Sequence, residues 1–194
     1  MKRSEINQSI REALDFLAEH RFLLPEWATW TPRMWGTHGE TCREIRDNAL
    51  GWDVTDFGKR NFAQEGLTLF TIRNGNPARD RKTYCEKIMF VREGQTTPIH
   101  FHWHKMEDII NRGGGDLCMK LWRADDKEGM TDAPCSFQID GITTTVRAGE
   151  VLRLRPGQSI TFEPYMYHTF WAEGGHCMAV SYTHLRAHET AANL

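Results

Sequence analysis

Between positions 98 and 117 the chain reads PIHFHWHKMEDIINRGGGDL. His100, His102 and His104 take alternate positions, Phe101 and Trp103 fall between them, and Lys105 and Glu107 follow at once. Side chains alternate faces along a strand, so an extended segment here points the imidazoles one way and the aromatic rings the other. Neutral imidazoles crowded on a buried face are costly unless something binds their lone pairs. A divalent cation does so, and Glu107 is close enough to return on the next strand as an oxygen donor. A mixed nitrogen and oxygen set suits Mn2+, Fe2+, Co2+, Ni2+ or Zn2+. An alternating histidine stripe also suits a strand facing solvent, so this spacing alone leaves both the metal and the choice of histidines open.

The elements that must position these residues fall into two textures. Ser4 is placed to cap a helix, with Glu5 in its first turn. Ile6, Ile10, Leu14 and Leu17 then recur at helical spacing, and the helix should end before Pro25. Residues 25–60 are rich in Trp, Gly and Thr, with a short helix predicted near Thr41–Ala49; this reads as an arm packed over something larger. From about Leu67 the runs are short and β-rich: LTLFTI, CEKIMFV, DLCMKLW, SFQI, ITTTV, VLRL, SITF and YHTFW. NGNP, GGG, DG, RPG and EGG punctuate them, and Asp140-Gly141 between SFQI and ITTTV signals a two-residue hairpin. Many short strands with turns between them predict a barrel or a sandwich. No internal repeat, linker or second domain is evident.

The totals bound the partners. The chain has 194 residues, 26% charged, with a formal net charge of −2. One domain with a substantial core is expected, and no electrostatic footprint for nucleic acid or an anionic membrane is present. Apolar runs are too short to span a bilayer, and MKRSEINQSI lacks the apolar region of a signal peptide. Five cysteines are scattered without a C-x-x-C pair, which predicts reduced thiols in a cytoplasmic protein.

Wider spacing narrows the ligand set. Gly94-x5-His100-x-His102-x4-Glu107-x6-Gly114 matches the first motif of the cupin superfamily, a small double-stranded β-barrel. The match selects His100 and His102 with Glu107 and leaves His104 at the rim. The second cupin motif supplies a third histidine, and Gly157-x6-Pro164-x3-His168 is its counterpart, although the usual glycine before the histidine and asparagine after it are missing. The phrases HFHWHKMEDIINRGGGDL and LRPGQSITFEPYMYHTFW, with the opening MKRSEINQSIREAL, resemble the D-lyxose isomerase family from residue 1 to about 180. That resemblance implies a single mainly β cupin barrel over 66–180 with an N-terminal helical arm over 1–65. It implies a Mn2+-dependent aldose–ketose isomerase, a homodimer, acting on D-lyxose and D-xylulose and often on D-mannose and D-fructose. His100, His102, Glu107 and His168 would be the metal ligands.

Such isomerisation moves a proton between C1 and C2, and a cation on the carbonyl and its neighbouring hydroxyl stabilises the enediolate that forms. Lys105, between two ligands in sequence, is the candidate proton carrier, or else a hydrogen-bond donor to a sugar oxygen. Asn111 shares the parity of Glu107 and is expected to line the cavity, while Asp108 and Ile110 face away. Lys87 is within reach of a sugar, though nothing in its spacing demands that role. His20, His38 and His176 read as surface or loop residues. Two rival readings remain: a non-haem iron oxygenase, whose facial triad uses two histidines and a carboxylate, and a non-catalytic sugar-binding cupin. The last residues, 181–194, read SYTHLRAHETAANL and resemble a translated sequencing adaptor. The expectation is that they are spurious, that His184 and His188 are not ligands, and that a second acid/base belonging to the family's final strands is missing.

Overall fold

A computed structural model describes residues 1–76 and 78–184. Helix α1 spans Arg3–Glu19, starting from Lys2 rather than Ser4, and Glu5 reaches back to the backbone amide of Lys2. Its buried line is Ser9, Ala13 and Leu17, with Ile6, Ile10 and Leu14 half-buried beside it, because the small side chains of Ser9 and Ala13 let the helix lie close to the sheet. The Ser9 hydroxyl meets that of Thr68 at 2.7 Å. Short helices α2 (Pro32–His38) and α3 (Arg43–Asp47) follow.

The β region holds strands β1 (Gly51–Thr55), β2 (Leu67–Asn74), β3 (Tyr84–Val91), β4 (Glu107–Arg123) and β5 (Cys135–Ile139). It continues with β6 (Ile142–Val146), β7 (Val151–Leu154), β8 (Ser159–Phe162) and β9 (Met166–His184). These strands pair antiparallel in the order β1-β2-β3-β9-β4-β8-β5-β6, with β7 on β4. This is the mainly β barrel with an N-terminal helical arm that the sequence predicts. The arm is not helical throughout, since β1 adds an edge strand to β2. The hairpin at Asp140-Gly141 is present, with φ of 50° and 81° at its two central residues, the left-handed pair such a turn requires.

Two expected turns are not turns. The glycines of RGGGD and EGG lie inside β4 and β9, whose register shifts between Asn111 and Gly113 and between Gly114 and Asp116. There the paired strands bend from one layer of the barrel into the other. The glycine runs face each other: a Cβ on Gly115 would stand 2.5 Å from the carbonyl oxygen of Gly175, and one on Gly114 would strike that of His176.

Inside the barrel, Leu69, Met89, Ile109, Leu117, Met119, Leu121, Ile160, Phe162 and Phe170 form the core. Outside, Leu17 of α1 closes over Phe70, Ile88, Met178 and Val180. Trp27 and Trp52 pack on Phe70 at 4.7 and 5.0 Å between ring centroids, so the aromatic arm is packing as expected. Ser181–His184 end β9, paired with β3 and β4; the remainder of 181–194, His188 included, falls outside the described residues. No helix among the described residues is long and apolar enough to cross a membrane.

Candidate metal centre

The histidine segment is not a regular strand. It runs beside the start of β9, touching it at three points. Thr97 donates to the carbonyl of Phe170 at 3.1 Å, His100 and His168 exchange backbone bonds of 3.1 and 2.8 Å, and Tyr165 donates to the carbonyl of His102 at 2.8 Å. This antiparallel contact sets the His100 and His168 rings 4.2 Å apart. The His102 ring lies 5.1 Å from that of His100 and 5.4 Å from that of His168. One ligand atom from each of the three imidazoles lies within 4.8 Å of the others. Past His102 the chain turns, and His104 is exposed. Shared-face alternation therefore holds for two of the three alternating histidines.

Glu107 opens β4, opposite Phe162 of β8 and Thr183 of β9, which turns its side chain inward. Only 8% of the residue is exposed. Its Oε2 stands 2.9 Å from His102 Nε2, while Oε1 accepts from the Ser181 hydroxyl. The structure thus brings His100, His102, Glu107 and His168 together from three separate segments.

Hydrogen bonds set the tautomers. His100 Nδ1 lies 2.9 Å from the carbonyl of Pro98, and His168 Nδ1 lies 3.0 Å from that of Met166. A carbonyl only accepts, so each Nδ1 carries the proton and each Nε2 presents a lone pair. Burial first, and then the neighbouring His100, pushes His168 down to about 3. Burial likewise lowers His100. Burial alone would raise Glu107, but the charge of Lys105 and the contacts to His102 and His168 outweigh it and hold the carboxyl well below its usual range. At neutral pH His100 and His168 are neutral imidazoles and Glu107 is a carboxylate, the protonation states a divalent cation needs. These four residues fit such an ion.

Lys105 is half-buried, and its charge is the strongest influence keeping Glu107 ionised. Burial raises the Cys85 thiol, while the charges of Lys87 and Lys105 pull the other way. Lys87 sits opposite Thr71 and Ser181, two positions from the core residue Met89. That inward parity was readable in CEKIMFV, but a lysine among apolar residues carries no spacing signal of its own. Asn111 departs from expectation. It is fully buried, but its amide donates to the carbonyls of Gly115 and Leu154 and its oxygen accepts from Gly113, so it staples the β4 bulge instead of lining the cavity. Asp108 is exposed and Ile110 packs outside, as parity predicts.

A family model described as D-lyxose isomerase matches residues 1–190. The curated D-lyxose/D-mannose isomerase of Escherichia coli O157:H7 is 49% identical over 178 residues, covering 90% of this chain and 78% of that protein. The enzyme of the same name from Serratia proteamaculans is 47% identical over the same length and coverage. Among solved structures, Cellulomonas parahominis L-ribose isomerase with L-ribose superposes with a TM-score of 0.60 at 16% identity, covering 100% of this chain and 88% of that one. Acinetobacter sp. DL28 L-ribose isomerase in complex with L-ribose gives 0.61 at 16% identity, with the same coverage. At that identity the likeness shows a shared fold.

Proposed function

The chain belongs to the D-lyxose isomerase family and is a sugar isomerase, and from that membership we propose that it is a Mn2+-dependent enzyme interconverting D-lyxose and D-xylulose. D-mannose and D-fructose form the second substrate pair, since the carbonyl shift is the same and only one hydroxymethyl carbon is added. The observation that carries the metal reading is the cluster of three imidazoles with ligand atoms within 4.8 Å of one another, with the Glu107 carboxylate 2.9 Å from His102 Nε2. A divalent cation bound there would stabilise the negative charge that spreads over O1 and O2 as the proton leaves the carbon beside the carbonyl.

The chain's own residues do the rest. His100 and His168 are held as Nε2 donors by their carbonyl contacts, and Glu107 is held by Ser181. Lys105, half-buried just before β4 and close enough for its charge to act on Glu107, is the group we assign to the migrating proton: it leaves C2 of the aldose and arrives at C1 of the ketose. Lys87, on β3 and facing the barrel interior, is placed to donate a hydrogen bond to a sugar oxygen. Five thiols, all free and buried, suit a reducing compartment, and we place the enzyme in the cytoplasm. Assembly as a homodimer belongs to this reading, and the outer face carrying Trp122 and Trp171, with exposed Ile99 beside it, offers surface for a second copy.

The test is direct. Purified protein stripped by a chelator, then given Mn2+ and D-lyxose, is expected to form D-xylulose, and chelation is expected to stop it. No conversion of any pentose or hexose by the Mn2+-loaded protein would overturn the assignment.

A further inference from the structure

Behind the histidines, on the face turned away from the candidate metal centre, lies an aromatic layer. Phe101, between His100 and His102 in sequence, packs against Trp103 at 5.1 Å and Tyr167 at 4.6 Å between ring centroids. One residue from a distant loop ties this layer together. The Trp103 indole donates to the Glu128 carboxylate at 2.8 Å, and the Tyr167 hydroxyl donates to the Glu128 backbone carbonyl at 2.7 Å. Trp103 follows His102 and Tyr167 precedes His168. Glu128 is therefore bonded to the immediate neighbours of two imidazoles that stand on different segments.

The loop is built to hold it there. The Asp125 carboxylate accepts from the amides of Lys127 and Gly129 at 2.8 and 2.7 Å, and the Asp125 amide donates to the Gly129 carbonyl at 2.8 Å. Glu128 sits at φ 65°, a conformation disfavoured for a residue with a Cβ and kept only where the surroundings over-determine it. The segment it grips has little else to fix it. Between Ile99 and Met106 the backbone is tied by the exchange at His100, by the carbonyl of His102 and by a long 3.4 Å contact at Met106.

We propose that Glu128 is a positioning residue for the metal centre, acting through Trp103 and Tyr167 to hold the His102 and His168 segments at the separation one ion requires. This rests on the reading of the four donors as a metal site.

Mn2+ titrated into metal-free protein, with free Mn2+ read by electron paramagnetic resonance, tests it. E128A and W103F are each expected to bind Mn2+ about tenfold more weakly, the scale of a lost outer-shell partner. E128Q, whose amide oxygen accepts the same indole bond, is expected to recover most of that affinity. The W103F/E128A double variant should be no weaker than W103F. Unchanged affinity in E128A overturns the proposal, as does an E128Q as weak as E128A, which would point to charge alone. It is also overturned if the affinity losses track a fall in the melting temperature of the metal-free variants. Wild-type protein that takes up no Mn2+ overturns the metal reading and this inference with it.

Discussion

His168 concentrates the physics of the site in one side chain. It is 1% exposed, stacked on Phe162, and hydrogen-bonded through Nδ1 to a carbonyl that only accepts. Folding lowers its pKa from 6.5 to about 3. Between those values the unfolded chain holds a proton that the folded one refuses, so acid favours unfolding across that window. Stability from this residue is complete above about pH 6.5 and falls as the pH drops toward 3. Glu107 acts in the same direction further down, since its lowered pKa means its contribution is lost as its carboxylate is protonated. For the metal-free protein, urea melts are expected to show a loss of about 2 kcal/mol between pH 7 and pH 5 from His168 alone, with a shallower slope in H168Q. A flat profile across that interval would contradict the buried, neutral imidazole. The four candidate ligands were legible because motif spacing is local. Lys87 and the role of Asn111 were not, because both depend on which strand lies alongside.

At the scale of elements, the crossing of β4 and β9 decides whether the barrel forms. Both strands pass from one layer to the other at opposed glycines, where Gly114 has φ 87° and Gly175 φ 124°. A side chain at Gly114 meets the His176 carbonyl, the ring of Phe16 at 2.7 Å and an unfavourable backbone conformation together. G114A is therefore expected to cost on the order of 3 kcal/mol, which is about 6 to 12 °C in melting temperature for a chain of this size. G36A in α2, where a Cβ meets nothing within 4 Å, is expected to be neutral or to stabilise by up to about 1 kcal/mol. Equal melting temperatures for the two variants in differential scanning fluorimetry would remove the argument. The sequence marked GGG and EGG as breaks, since a glycine run reads alike whether it ends a strand or bulges one. Only the facing run, some sixty residues away, distinguishes the two. The DG hairpin was legible because both of its determinants lie within four residues.

Over the whole molecule, closure of the barrel is what makes a site out of distant residues. The His100–His102 segment and the first turn of β9 are linked by paired backbone bonds, and β4 brings Glu107 in from the side. The helical arm covers one layer from outside through Leu17, Trp27 and Trp52. Class of fold could be read from the chain, because a barrel announces itself in short strands, and the four residues that the structure gathers were named by their motif spacing. The arm's edge strand β1 could not, since GWDVT has too few alternations to stand out without β2 beside it. The measurement that bears most directly on the account is an anomalous difference map at the manganese absorption edge from crystals of the Mn2+-loaded protein. It is expected to show one strong peak within coordination distance of His100, His102, Glu107 and His168 together. A map without density among those four side chains, or with its peak elsewhere, would contradict the account.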